Sequence, residues 1–165
     1  MSTTGRKVIA WHSHCHDEAV GTVNELIHTH LKHEGGYKFS ITFDELPGTF
    51  HSDEEAPLGQ GWGPSPAMML SSAIGSCLSS SLLFCLEKSR VPVRSPLSTD
   101  IETTVKRSDK GRWRVGEIKV KLNVIVDDSD KEKLERCKGI FEDFCIVTES
   151  VRQGVKIDVA VESEE

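Results

Sequence analysis

A long stretch without any charged residue, 56–86, constrains the fold of this chain more than any other feature. The stretch is long enough to span a bilayer. However, glycines and prolines interrupt its first part, and serines make the remainder too polar for a lone membrane span. We therefore expect it to contain the long buried helix of a soluble domain.

The start of this helix is marked by Ser65-Pro66, because serine is a preferred N-cap residue and proline suits the first turn. The helix should run to about Lys88. Small residues recur along it every four positions, at Ser71, Gly75 and Ser79. Another element or another chain should therefore approach closely along that side.

Composition narrows the class of protein. A chain of 165 residues with a formal charge of -6 is long enough for one ordinary domain and is poorly suited to binding phosphate backbones. Residues 1–8 are polar, where a secretory signal would be apolar. Five cysteines without an export signal indicate a reducing, cytoplasmic setting with free thiols, and their odd number argues against a closed internal disulfide framework. No nucleic-acid or membrane partner is expected.

Alternation of apolar and polar residues predicts strands before and after the helix. The predicted strands are 8–15, 25–33, 37–44, 99–105, 115–126 and 155–161. Segment 20–31 also fits a helix, but the turn at Gly35-Gly36 favours a strand at 25–33. Residues 47–64 should form a loop in which the acidic run 53–55 is solvated.

Two further helical segments are predicted near the C-terminus. One begins at Ser129, where Glu132 would complete a capping box. The other begins at Cys145 and ends near Gly154. Together the elements predict one α+β domain over residues 1–165, whose least readable part is the set of His-rich strands in 1–36.

Four of the cysteines fall in these predicted helices. Cys77 lies mid-helix, where a cysteine usually packs as a small apolar residue, and Cys85 and Cys137 are interpreted in the same way. Cys145 stands at a helix N-terminus, where unpaired N–H groups favour a thiolate, although a core role remains an equal alternative.

Two motifs carry a resemblance to a known family. Residues 63–77, GPSPAMMLSSAIGSC, resemble the first cysteine motif of the OsmC and organic hydroperoxide resistance family. Residues 144–155, FCIVTESVRQGV, resemble its second motif. The order of elements also fits this family from about Tyr37 onward. The resemblance implies an OsmC-like fold, with an antiparallel sheet around a long cysteine-bearing helix, in an intertwined homodimer.

The same resemblance implies a peroxidase without a cofactor. Cys77 would attack an organic hydroperoxide, Cys145 would resolve the sulfenic acid as a disulfide, and an external dithiol would reduce the pair. Two family features are replaced. Ala67 stands where the family has a glutamate, and no arginine occurs between Arg6 and Arg90. The possible substitutes are Lys32, Lys38 or His33 for the cation and Glu45 or Glu55 for the carboxylate.

These replacements favour an alternative function, in which the same fold binds a small molecule in an apolar pocket. A second alternative is metal binding by the histidines of the N-terminal segment, in which imidazoles on one strand face would hold zinc, nickel or copper. Solvated or packed histidines are the simpler interpretation. The candidates are His12, His14, His16, His28, His30 and His33, with Cys15 and Asp17 near the first three.

Overall fold

The computed structural model describes residues 26–163, so the predicted strand at 8–15 and the histidines His12, His14 and His16 lie outside the described residues. The first described part is an antiparallel sheet with strand order β1-β2-β3. Its strands are β1 (Thr29–His33), β2 (Phe39–Phe43) and β3 (Leu46–Ser52). Gly35 and Gly36 adopt positive φ in the turn between β1 and β2. A strand within 25–33 is therefore confirmed.

Strand β3 corrects the prediction of a loop over residues 47–64. It pairs with β2, and Ile41 lies opposite Phe50. The pairing shifts between Ile41 and Phe43, and β3 is an edge strand, which is where a sheet tolerates a proline such as Pro47. Proline and glycine at 47–48 therefore mark the start of a strand and not a continuous loop.

The long helix α1 (Pro66–Lys88) forms as predicted. The Ser65 side chain accepts the backbone N–H of Met68 at 3.4 Å, as an N-cap residue should. Among the described residues, α1 is the one helix long and apolar enough to cross a membrane. It contacts the strands and helices that follow it in the chain, so it is the central helix of the fold.

The small-residue side of α1 packs against the next strand, β4 (Ser98–Arg107). Two hydroxyl pairs join them: Ser71 Oγ lies 2.6 Å from Thr103 Oγ1, and Ser79 Oγ lies 2.7 Å from Thr99 Oγ1. Between these pairs, a Cβ added at Gly75 would overlap the side chain of Ile101. The predicted close approach is confirmed.

Strand β5 (Trp113–Asn123) pairs antiparallel with β4 as a two-stranded sheet. The predicted strands at 99–105 and 115–126 are therefore confirmed, and Gly111 takes a positive φ in the turn between them. The buried core lies between this hairpin, α1 and the C-terminal helices. Its members are Ile74, Leu78, Leu82, Cys85, Leu86, Val91, Leu134, Cys137, Phe141 and Cys145.

The C-terminal helices are α2 (Lys131–Lys138) and α3 (Ile146–Gln153), each preceded by a short 3₁₀ turn. The capping box predicted at Ser129 is wrong, because Ser129 lies inside the first 3₁₀ turn (Asp128–Asp130) and Asp130 is the N-cap residue. Lys133 Nζ donates to the Asp130 carboxylate at 2.6 Å. The helix therefore begins two residues later than the sequence pattern indicated.

A disulfide between Cys85 and Cys137 joins α1 to α2, with their Cα atoms 5.7 Å apart. This corrects the interpretation of both residues as free packing cysteines. Both side chains are buried. A buried cysteine has the same sequence pattern whether its sulfur packs against apolar neighbours or forms a disulfide.

The predicted final strand at 155–161 is not formed in the described single chain. Because a strand needs an edge to pair with, the reason is that this segment lies against no other strand of its own chain. Its alternating apolar side chains are exposed: Val155, Ile157, Val159 and Val161.

Candidate active site: a pair of free thiols

Cys77 and Cys145 are the free cysteines among the described residues. Cys77 lies midway along α1 and is partly exposed, whereas Cys145 is fully buried at the junction between the second 3₁₀ turn (Phe141–Phe144) and α3. Each thiol is among the groups that shift the pKa of the other, so the fold brings the two side chains into proximity. Cys77 is the more accessible sulfur of the two.

Cys145 is the N-cap residue of α3. Its sulfur accepts the backbone N–H of Thr148 at 3.5 Å and lies 2.9 Å from Oγ1 of the same residue. The Cys145 N–H donates to the carbonyl of Glu142 at 2.9 Å, which fixes the junction. The predicted position of Cys145 at a helix N-terminus is confirmed.

The N-terminus of α3 also faces Cys77. Backbone N–H groups of Val147 and Ile146 favour its thiolate. Burial nevertheless raises the pKa of the Cys77 thiol, and the hydrogen bond to Cys145 raises it further. Cys77 is therefore the less readily ionised sulfur of the pair.

The pKa of Cys145 is shifted in the opposite direction, below its ordinary value. Burial has the largest single effect and raises the pKa of Cys145. The interactions with Cys77, with the Thr148 side chain and with the N–H groups of α3 together outweigh burial and hold the pKa below its ordinary value. The mutual influence of the two thiols therefore shifts their pKa values in opposite directions.

Aromatic and ionic groups lie on the segments that carry the two thiols. The rings of Phe84 and Phe144 lie 6.4 Å apart, and Lys88 Nζ lies 5.3 Å from the centre of the Phe84 ring. Arg152 of α3 forms an ion pair with Glu142 at 2.6 Å. The guanidinium is thus neutralised by a carboxylate close to the thiols.

The predicted supporting residues lie in or beside the first sheet and have other partners there. Lys32 pairs with Glu34 at 3.2 Å, and Lys38 donates to Gln60 at 2.8 Å. His33 lies 3.1 Å from the carbonyl of Gly36. Glu45 and Glu55 are exposed in the turn after β2 and the loop after β3. None of the five is among the leading influences on either thiol within the described chain.

The acidic run 53–55 is not a solvated loop throughout, because Asp53 is 2% exposed. Its carboxylate accepts the backbone N–H groups of Glu54, Gln60 and Trp62 at 2.9–3.1 Å. The N–H of Trp62 is the main cause that lowers the pKa of Asp53. Asp53 therefore organises the loop that leads into α1. An aspartate followed by a glycine-rich segment was the sequence signal that could have revealed this role.

Sequence reasoning also missed Thr148, because a hydroxyl three residues after a cysteine has no distinctive pattern outside the N-cap geometry. For metals, residues 26–163 hold no group of three or more suitable side chains that could bind an ion. His30 in β1 instead lies 2.9 Å from the Asp44 carboxylate.

A cavity of about 440 Å³ lies between α1, β5 and α3. Apolar side chains of α1 and β5 line it together with the polar groups of Glu117, Glu142, Thr148 and Arg152. Thr148 thus faces the cavity and contacts the sulfur of Cys145.

Comparison with known proteins identifies similar chains. The family model described as OsmC-like protein matches residues 59–160. An OsmC-like protein of unknown function from Vibrio cholerae superposes with a TM-score of 0.67 at 14% identity, covering 77% of this chain and 94% of that one. The organic hydroperoxide resistance protein OhrB of Bacillus subtilis gives a TM-score of 0.54 at 18% identity, covering 78% and 91%.

An organic hydroperoxide resistance protein OsmC from Legionella pneumophila gives a TM-score of 0.57 at 12% identity, covering 78% of this chain and 90% of that one. At these identities the solved structures show the fold. No curated protein matches the chain significantly.

Proposed function

This chain belongs to the OsmC-like family, and from that membership we propose that it is a thiol peroxidase that reduces organic hydroperoxides through Cys77 and Cys145. The observation that carries the proposal is the proximity of the two free cysteines, which lie far apart in sequence and shift each other's pKa. The similarity to proteins described as organic hydroperoxide resistance proteins supports the substrate class.

The chemistry follows from the arrangement of the two sulfurs. The partly exposed Cys77 attacks the O–O bond as a thiolate, becomes a sulfenic acid and releases an alcohol. Cys145 attacks the sulfenic sulfur, the hydroxyl leaves as water, and a disulfide joins the pair. A dithiol from outside the protein then restores both thiols and is itself oxidised to a disulfide. We place the reaction in the cytoplasm, where such reductants are found.

We further propose that the working form is a homodimer. The row of apolar side chains at 155–161 is exposed, and β4 and β5 form a sheet of only two strands. A two-stranded sheet with open edges is marginal by itself, and strand addition from a second copy would cover both features. A dimer also provides a source for the missing cation and carboxylate, because Lys32, Lys38, His33, Glu45 and Glu55 of a second copy could lie near Cys77.

The peroxidase test counts free thiols and measures intact mass of the reduced protein before and after an equimolar amount of cumene hydroperoxide. The parent should lose two thiols rapidly. Cys145→Ser should trap a sulfenic acid on Cys77, and Cys77→Ser should not react. Thiol loss no faster than that of free cysteine in the parent would exclude peroxidase function.

A second candidate function is small-molecule binding by the same fold. It is favoured by the raised pKa of Cys77, by Ala67 in place of the family glutamate, and by the cavity beside α3. Ligand-induced stabilisation by apolar compounds, equal in the parent and in Cys77→Ser and without thiol consumption, would support it.

A further inference from the structure

The tip of the β4–β5 hairpin carries a positive charge that the chain as a whole does not share. Residues 106–114 contain five basic side chains and one acidic side chain, in a chain whose formal charge is -6. Within residues 26–163, none of these five basic side chains forms an ion pair with a carboxylate. They are Lys106, Arg107, Lys110, Arg112 and Arg114.

One face of the tip is apolar and exposed. Val105 lies opposite Val115 in the strand register. Arg107 lies opposite Trp113, two positions further along each strand and therefore on the same face. Val105, Val115 and Trp113 are 47%, 40% and 58% exposed. The Arg107 guanidinium lies 4.4 Å from the centre of the Trp113 ring and donates to the carbonyl of Gly111 at 2.8 Å, so the ring is held in place at the tip.

The other cations lie around this face. Lys106 lies opposite Arg114 on the reverse side of the hairpin. Lys110 and Arg112 lie in and beside the turn that ends it. Exposed apolar side chains surrounded by cations are typical of segments that lie at a membrane interface.

The tip also extends beyond the helix against which the hairpin packs. The hydroxyl contact of β4 with the first turns of α1 is made by Thr103. Strand β4 continues for four more residues to Arg107, which is about 13 Å at the rise of a strand. This length exceeds the screening length of about 8 Å at physiological ionic strength. The negative charge of the rest of the chain is therefore largely screened at the tip.

We propose that the hairpin tip, residues 105–115, is a docking surface for an anionic phospholipid bilayer. The negative potential of such a bilayer attracts basic side chains near its surface, and tryptophan is favoured at the level of the headgroups. The expectation of no membrane partner depended on the charge of the whole chain, from which the tip departs. The proposal goes beyond the peroxidase function and does not rest on it.

The apolar side chains favour a bilayer over a nucleic acid as the partner. Val105 and Val115 gain free energy when they leave water for acyl chains, whereas a phosphate contact makes no use of them. Proteins that bind single strands stack successive bases on several aromatic side chains. Residues 104–117 hold the single ring of Trp113, and Arg107 already lies against that ring.

The same hairpin leads from the tip to the cavity beside α3. Val115 belongs to the apolar face of the tip and also lines the cavity, as do Gly116 and Glu117. Docking through the tip would therefore place the cavity close to the bilayer surface.

The test measures sedimentation of the full-length protein with phosphatidylcholine vesicles and with vesicles that also contain phosphatidylglycerol. Binding should require the anionic lipid and should weaken as salt is added. Lys110→Gln with Arg112→Gln should weaken binding about 25-fold, because each basic residue near the surface contributes about fivefold, or about 1 kcal/mol. Arg136→Gln with Lys138→Gln, which removes two exposed cations from α2, is the matched control and should bind as the parent does.

Trp113 provides a readout that a purely electrostatic contact would not give. Brominated phospholipids in the anionic vesicles should quench the tryptophan fluorescence of the parent, and this quenching should be lost in Trp113→Phe, which should still bind. Trp113→Ala should bind more weakly than Trp113→Phe, since it also removes the ring.

Four results would overturn the proposal. They are equal binding to the two kinds of vesicle, equal weakening in the α2 control, quenching that persists in Trp113→Phe, and a smaller mass in light scattering for the variants of the tip. The last result would make the tip a contact between copies of the chain. A single-stranded oligonucleotide, added at the same phosphate concentration as the anionic lipid, should leave the protein on the vesicles. Displacement by the oligonucleotide would identify a nucleic-acid surface and refute docking on a bilayer.

Discussion

Removal of the Cys85–Cys137 disulfide should cost a large part of the stability of this fold. The two cysteines are separated by 52 positions in sequence, and the bond closes this segment into a loop in the unfolded chain. For a loop of this length the chain-entropy relation gives a stabilisation of about 4 kcal/mol. Small domains are stable by roughly 5–15 kcal/mol, so the bond supplies a substantial share.

The perturbation is the double variant Cys85→Ala, Cys137→Ala, and the assay is urea unfolding without reductant at a fixed protein concentration, because an oligomer would make stability depend on concentration. We expect a loss of about 4 kcal/mol, which for a chain of this size lowers the melting temperature by roughly 10 °C. Adding reductant should lower the stability of the parent towards that of the double variant.

The matched control is Cys77→Ala, Cys145→Ala, which changes two cysteines of the same core and leaves the disulfide in place. Its stability should still fall when reductant is added. A loss below about 1 kcal/mol in the Cys85 and Cys137 double variant, or a parent that does not respond to reductant, would refute the reasoning.

Three further predictions concern other parts of the fold. Gly75→Ala should destabilise by about 1–3 kcal/mol in thermal unfolding, because its Cβ would overlap Ile101, whereas Ser72→Ala on the exposed side should have little effect. The pKa of Asp53 is lowered in the folded state, so its contribution to stability is present above its ordinary value of 3.8 and is lost as the pH falls through the folded pKa. Asp53→Asn should therefore weaken the dependence of the free energy of unfolding on pH in the acid range. An unchanged dependence in this variant would contradict the prediction. Truncation after Gly154 should abolish dimerisation, as measured by light scattering. The double variant Lys156→Gln, Asp158→Asn changes only polar residues that alternate with the apolar ones, and it should remain dimeric.

The elements that could be predicted from the sequence are those with a strong hydrophobic period or with clear capping and turn residues. Helix α1 follows from its uncharged apolar run and its Ser65-Pro66 start, and the β4–β5 hairpin follows from strict alternation around a glycine turn. Strand β3 was missed because its proline and glycine have the composition of a loop, although it follows β2 after only two residues and pairs with it.

The candidate site was only partly accessible to the same reasoning. Spacing placed Cys145 at a helix N-terminus, but only the family resemblance linked it to Cys77. The Cys85–Cys137 bond was missed because a buried cysteine on an apolar helix face has the same pattern whether it packs or bonds. The segment 155–161 has the period of a strand, yet a strand forms only when an edge is available to it.

The two sulfur pairs connect the same two stretches of chain, which run in opposite directions. Cys77 and Cys85 lie eight positions apart along α1, and Cys137 and Cys145 lie eight positions apart on the facing segment. Insertion or deletion of one residue in either stretch would displace one pair relative to the other. Relatives that keep both pairs should therefore conserve the spacing between the two cysteines of each stretch. Relatives that lack the Cys85 and Cys137 pair are free to vary the length between α2 and α3.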